Sequence, residues 1–319
     1  MMRRYTAVFA VCSAIGVVAT GLADIASAQS PMPVTTDTEA VGSDVTGAMR
    51  EWISGSSAGR TKLEELARAG RADAQEALAE ILLNGRFGVP PEPVLACNFF
   101  EKASLARSDA LHSFAVCTEK GVGGTPNLSR AADLYRQAGE KGFAKSKCAL
   151  GNLYVEGRGV AKDVKHGATL CREGAEAGDP DAQTDLGNMY LSGIGVDNDM
   201  VQARFWYEKA ATQGQPNAEF VLGQIYWNGD GVKMDRGKAA ELWQAAYDHG
   251  RPDAAILLGR WAFAQWMAAH LVGDKTLLDK AIQWDEAAVK AAVSDKERKE
   301  AVDALALARS AKAAAAKVE

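Results

Sequence analysis

The amino-acid sequence predicts an all-α protein, an αα-hairpin solenoid with capping helices at its carboxy end. Three observations carry that expectation: a repeat of fixed length, apolar residues at helical spacing within each copy, and paired glycines that punctuate the two helical stretches. Leu150 to Val160 (LGNLYVEGRGV) returns as Leu186 to Val196 (LGNMYLSGIGV) and again as Leu222 to Val232 (LGQIYWNGDGV). The step is 36 residues, from position 150 to 186 to 222, and Asp163, Asp199 and Asp235 keep the register, as do Pro180, Pro216 and Pro252.

Taken in order, residues 1–28 read as a signal peptide. Met1-Met2-Arg3-Arg4 is a positive start, Tyr5 to Leu22 is uncharged and largely apolar, and Ala26-Ser27-Ala28 fits the cleavage pattern before Gln29. The alternative is an uncleaved membrane anchor, weakened by Gly16, Thr20 and Gly21 and opposed by the cleavage pattern. Residues 29–47 hold few large apolar side chains and read as a disordered leader, because they cannot bury enough surface to offset the entropy of ordering. Leu63 to Ala69 is expected as an amino-terminal capping helix. Residues 48–253 form the repeat solenoid. Two degenerate copies open it, one running from Ala74 through Gly85 to Phe100 and Ala103, the next holding Gly121, Gly123 and Ala131 to Ala138. Residues 254–319 form a carboxy-terminal helical cap, with helices at about Ala254–Leu271, Lys275–Val293 and Asp295–Lys317. Ser294 with Glu297 is a capping-box signature for the last of these.

Each copy reads as two helices. Asp179 can cap the first and Pro180 suits its first turn. Ala182, Leu186, Met189 and Tyr190 recur at helical steps until Gly193 and Gly195 break the run. A second helix carries Ala203, Trp206, Tyr207 and Ala210 and stops at Gly214. Gly151, Gly187 and Gly223 fall inside first helices, where glycine costs roughly 1 kcal/mol relative to alanine. The recurring gain is expected to be close approach of a paired helix that presents small residues such as Ala203 and Ala239.

The L-G-x-x-Y-x-x-G-x-G-V pattern, followed by aspartate, alanine and Trp206-Tyr207-Glu208-Lys209-Ala210-Ala211, resembles the Sel1-like repeat family, relatives of the tetratricopeptide repeats. The resemblance covers roughly Arg71 to Gly250. It implies a right-handed superhelix whose first helices line a concave face, and an adaptor or regulator rather than an enzyme. On that geometry three columns would line a protein-binding groove: Asn152, Asn188, Gln224 and Arg260; Val155, Leu191, Trp227 and Phe263; and Thr184 with Phe220. Amides interleaved with large apolar groups suit a bound peptide. Trp227 is the best candidate anchor, with packing between repeats as the competing role. For Trp261, Phe263 and Trp266 a ligand platform competes with buried capping contacts.

Four cysteines follow the signal. Cys148 and Cys171 are nearly symmetric about Gly159-Val160 and so face each other across one hairpin; Cys97 and Cys117 are symmetric about the turn near Arg107 and would join one repeat to the next. Each pair closes a loop of about twenty residues, worth roughly 3 kcal/mol if unstrained. Free buried thiols are the alternative, and the cysteine-rich Sel1 proteins place their cysteines elsewhere. The column of Cys97 holds Arg204 in a later repeat, which would turn Cys97 toward solvent.

No reaction-bearing motif appears: H-E-x-x-H, C-x-x-C, Walker A, G-x-S-x-G and S-x-x-K are all absent. His112, His166, His249 and His270 are scattered, with His112 expected as a solvated or interface side chain. Paired acids such as Asp285-Glu286 read as ordinary exposed helix surface, and no catalytic residue, metal ligand or cofactor is implied. The net charge of −5, with both signs interspersed, argues against a nucleic-acid partner. The expectation is a periplasmic or secreted, non-enzymatic scaffold or regulator, without stable membrane insertion after signal cleavage, whose partners are envelope or membrane signalling proteins. The alternatives are a factor binding peptidoglycan or its synthetic machinery and, less favoured, a cell-wall or β-lactam hydrolase.

Overall fold

The structure, a computed structural model, describes residues 43–269 and 275–316. The expected signal peptide, residues 29–42 of the expected leader and His270 lie outside the described residues. Among the described residues there are fifteen α-helices and no strand. They fall into two compact units, one ending at Asn127 and the other starting at Leu128, a boundary inside the span 48–253.

The first unit holds α1 (Ser43–Ile53), α2 (Ser57–Arg68), α3 (Ala72–Asn84), α4 (Pro93–Ala103) and α5 (Ser108–Lys120). Helix α1 begins inside the stretch read as leader. Its Val45, Ala48 and Trp52 fall on one helical face and are buried in the unit's core. The amino-terminal cap is therefore a hairpin of α1 and α2, larger than the single helix expected around Leu63 to Ala69. Phe87 has φ +55° at the place where later copies carry Gly123, Gly159, Gly195 and Gly231. At Gly195 the reason for glycine is visible, since a Cβ would collide with the Val164 carbonyl oxygen. Phe87 instead sets its ring 6.0 Å from that of Trp52 on α1. That contact offsets a backbone strain of about 1–3 kcal/mol.

The second unit holds α6 (Leu128–Glu140), α7 (Ala144–Glu156), α8 (Val164–Glu176), α9 (Pro180–Ser192), α10 (Met200–Ala211), α11 (Pro216–Asn228), α12 (Arg236–Asp248), α13 (Ala254–Ala268), α14 (Thr276–Ala291) and α15 (Asp295–Ala315). The register-keeping aspartates cap the second helices: Asp163 accepts from His166 N, Asp199 from Gln202 N and Asp235 from Lys238 N, at 2.9, 3.0 and 2.9 Å. Asp179 and Gln215 do the same for first helices that open on Pro180 and Pro216. Pro252 plays no such part, because α13 starts at Ala254. Ser294 and Glu297 form the expected capping box on α15.

Successive repeats are tied by their polar columns. The Lys145 ammonium meets Asp181 at 2.6 Å, Gln215 Nε2 donates to Asp181 at 3.1 Å, and Arg251 donates to Asn217 at 2.6 Å. The recurring tyrosines add a second ladder. Arg172 donates to the Tyr190 hydroxyl at 3.0 Å, whereas Glu208, in the same place one repeat later, faces the Tyr226 hydroxyl at 3.5 Å as an acceptor. The charge reversal is answered by Lys238, which donates to Tyr226 at 2.6 Å.

Gly187 and Gly223 meet large rings instead of the small residues expected from the sequence, whereas Gly151 does meet a small residue closely, Gly167, at the place of Ala203. One place in the second helices carries Phe100, Tyr135, Cys171, Tyr207 and Trp243, all at most 2% exposed. A Cβ on Gly187 would lie 2.8 Å from the Tyr207 ring, and one on Gly223 would collide with Trp243 Nε1, which reaches the Phe220 carbonyl oxygen at 3.2 Å. At these two positions glycine makes room for a large side chain that fills the hairpin interior. In the α7–α8 hairpin that place is Cys171, disulfide-bonded to Cys148 across the hairpin with Cα atoms 3.9 Å apart. Cys97 and Cys117 bond α4 to α5 with Cα atoms 5.9 Å apart, and Cys97 is buried rather than turned to solvent. Both disulfides match the pairing expected from hairpin symmetry.

In α13 and α14, Asp285 occupies the corresponding interior place, under Gly259. Trp266 is buried and Trp261 and Phe263 pack against the cores there, so these aromatics serve the cap's packing.

Candidate functional site

The functional candidates lie on the first helices of the second unit. Helices α7 and α9 pack directly on each other, while α8 and α10 have no comparable contact, so the first helices form the inner row at this step. Asn152, Val155, Asn188 and Leu191 on α7 and α9 are partly exposed, as are Phe220, Gln224 and Trp227 at the equivalent places of α11. Several are backed by an interior residue beneath them. The Tyr207 hydroxyl donates to Asn188 Oδ1 at 2.7 Å, which fixes the orientation of the Asn188 amide. Asn152 Nδ2 donates to Asp185 Oδ2 at 2.9 Å. The Trp227 ring lies 5.3 Å from that of Trp243, with the Arg236 guanidinium 5.0 Å over it, and the residue stays partly exposed. Arg251 covers the Phe220 ring at 3.9 Å.

Two of the sequence-derived residues do not belong to an open face. Thr184 is only 4% exposed and spends its hydroxyl on the Pro180 carbonyl oxygen, 2.8 Å away, in a back-bond within the helix. Arg260 is exposed but paired with Glu300 of α15 at 3.2 Å, so the cap's last helix takes the end of the amide column.

Sequence reading missed Asp185. Its column runs Ala149, Asp185, Val221, Leu257, and reading that column at the repeat step would have found a carboxylate among apolar neighbours. Burial pushes its carboxyl up to about 6; the Asn152 hydrogen bond opposes this, and Asp181 and Asp179 add to it. The nearby ammonium of Lys145 pairs with Asp181.

The histidines also differ from expectation. His112 is buried, not solvated. His166 packs edge-on against Tyr154 at 4.6 Å. His249 has a partner: its Nδ1 lies 2.9 Å from both carboxylate oxygens of Glu219, whose carboxyl is raised by burial while His249 lowers it. That pair joins the start of α11 to the end of α12 and reads as a structural tie. In the first unit Glu76 is pushed up to about 8 by burial and by Asp109, with Arg107 opposing. Among the described residues no group of three or more His, Cys, Asp or Glu side chains is placed to hold a metal, and no helix is long and apolar enough to cross a membrane.

Comparison with known proteins agrees with this architecture. A profile described as the Sel1 repeat matches residues 72–107, 108–143, 144–179, 180–215 and 216–250. A Sel1 repeat protein from Oxalobacter formigenes superposes with a TM-score of 0.62 at 23% sequence identity, covering 78% of this chain and 100% of that one. A protective antigen of uropathogenic Escherichia coli strains, displaying an SLR fold, superposes with a TM-score of 0.53 at 21% identity, covering 85% of this chain and 70% of that one.

Proposed function

The chain belongs to the Sel1 repeat family, and on that premise we propose that it is a non-enzymatic, protein-binding scaffold of the cell envelope that captures its partner along the first helices α7, α9 and α11. The observation that carries this reading is the set of half-buried amides and apolar groups held in fixed orientation on one row. Asn188 is pinned by Tyr207, Asn152 by Asp185, and Trp227 is braced by Trp243. Amides fixed in this way can pair with a peptide backbone without losing rotamer entropy on binding, and the tryptophan supplies buried area. Two disulfides and the signal-like residues 1–28 support an exported, oxidising location.

The test is capture of envelope proteins by the mature chain, compared with a Trp227→Ala, Asn188→Ala double variant. The variant loses the captured partner while its helical circular dichroism is unchanged. Retained capture removes this face from consideration. Amino-terminal sequencing of the exported protein checks the location, with Gln29 as the expected first residue.

A further inference from the structure

Resting on that reading, we propose that Asp185 is the seat for a lysine or arginine side chain of a peptide lying along the inner row of first helices. The starting point is an exception. At the equivalent places of the neighbouring repeats the chain carries Ala149, Val221 and Leu257, each partly buried among apolar groups. Only one carboxylate interrupts this column in the second unit, and a half-buried charge there loses hydration that its surroundings do not replace. The protein supplies one hydrogen bond, from Asn152 Nδ2 at 2.9 Å, and the Cys148 sulfur at 3.5 Å adds no donor because it is disulfide-bonded.

The one cation whose charge reaches Asp185 is Lys145 on α7, and its ammonium also pairs with Asp181 at 2.6 Å. The other groups that face Asp185 are Asp181 and Asp179 toward the start of its own helix, which repel its charge. Three carboxylates share one ammonium here, so the local field is negative. A cationic side chain arriving between Asn152 and Asn188 would complete the set: an ion pair with Asp185, and amide contacts on either side for the peptide backbone. Burial is the first cause of the carboxyl's upward displacement to about 6, ahead of the opposing Asn152 and Lys145, and a bound cation would add to that opposition.

Selection of a random peptide display library on the mature chain at pH 7.5 tests this. The expected result is enrichment of lysine or arginine at one position, flanked by apolar residues, and loss of that enrichment when Asp185→Asn is the bait. A synthesised lysine peptide should then bind Asp185→Asn about tenfold more weakly, with the same loss when its lysine is replaced by norleucine. On the unmodified protein its affinity should fall as pH is lowered through 6, where Asp185 takes up a proton, and the Asp185→Asn protein should not share that fall. Peptides that depend on Trp227 but carry no cation preference, or equal affinity for both proteins, overturn the proposal and leave the binding face standing. Peptides indifferent to Trp227→Ala and Asn188→Ala, or no peptide at all, overturn both.

Discussion

In the α7–α8 hairpin the second helix carries Gly167, Cys171 and Gly174, whereas the same places hold Ala203, Tyr207 and Ala210 in α10 and Ala239, Trp243 and Ala246 in α12. The two patterns are alternative ways to fill one interior. In α9–α10 and α11–α12 a large ring under Gly187 or Gly223 sets the helices apart, and alanines suffice at the flanks. In α7–α8 no ring is present. The helices close until Gly151 and Gly167 meet backbone to backbone, a Cβ on Gly167 lying 2.5 Å from the Gly151 carbonyl oxygen. Across that narrow seam a disulfide fits where an aromatic ring would not. The α13–α14 hairpin does neither: Asp285 is 2% exposed there and its Oδ1 has no hydrogen-bond partner.

Changes at this one place should therefore have different consequences in each hairpin. Tyr207→Ala removes a fully buried ring and the bond that pins Asn188, and should cost about 3–5 kcal/mol in urea denaturation. Replacing Cys148 and Cys171 together by alanine should cost about 3 kcal/mol, with a disulfide-free chain that is still helical at low temperature.

Asp285→Asn should act in the opposite direction. Burial raises the carboxyl to about 6, with Arg260 opposing, so the folded state holds the proton more tightly than the unfolded chain does. The penalty is fully present above pH 6 and is relieved as pH falls from about 6 toward 4. Thermal melts should show the unmodified protein gaining stability over that window, while Asp285→Asn is more stable at pH 7, by about 1–3 kcal/mol, and loses that part of the pH dependence.

The smallest effect is expected at Phe87. Phe87→Gly relieves the positive φ and loses the ring contact with Trp52, so its net change should stay within about 1 kcal/mol. In a Trp52→Ala background the same substitution should become stabilising.

Much of this was legible in the sequence because the repeat made position equivalent to environment. The Asp179 cap, the αα-hairpins and both disulfide pairs follow from local sequence, register and antiparallel symmetry. Asp163, Asp199 and Asp235, by contrast, read only as register marks until the structure shows them capping. The interior place was misread because glycine in a first helix suggests small partners, and the ring that fills the gap lies on the other helix, four residues beyond Ala203. Asp285 reads as exposed helix surface because it lies 42 residues beyond Trp243, outside the 36-residue count that would place it inside. Thr184 shares a column with Phe220, yet a helical threonine can bond its own backbone and stay inside. Helix α1 was missed because a single short amphipathic stretch, Val45 to Trp52, carries little signal apart from the hairpin it joins.

Gly167→Ala separates the two packing solutions most directly. Helix propensity alone makes this substitution stabilising by up to about 1 kcal/mol, and alanine is the native residue at 203 and 239. If the α7–α8 seam is closed backbone to backbone, the urea midpoint of the Gly167→Ala protein must fall, by a loss of about 1–3 kcal/mol. A midpoint that stays or rises would contradict both the glycine seam and its role in admitting a disulfide where the other hairpins hold a ring.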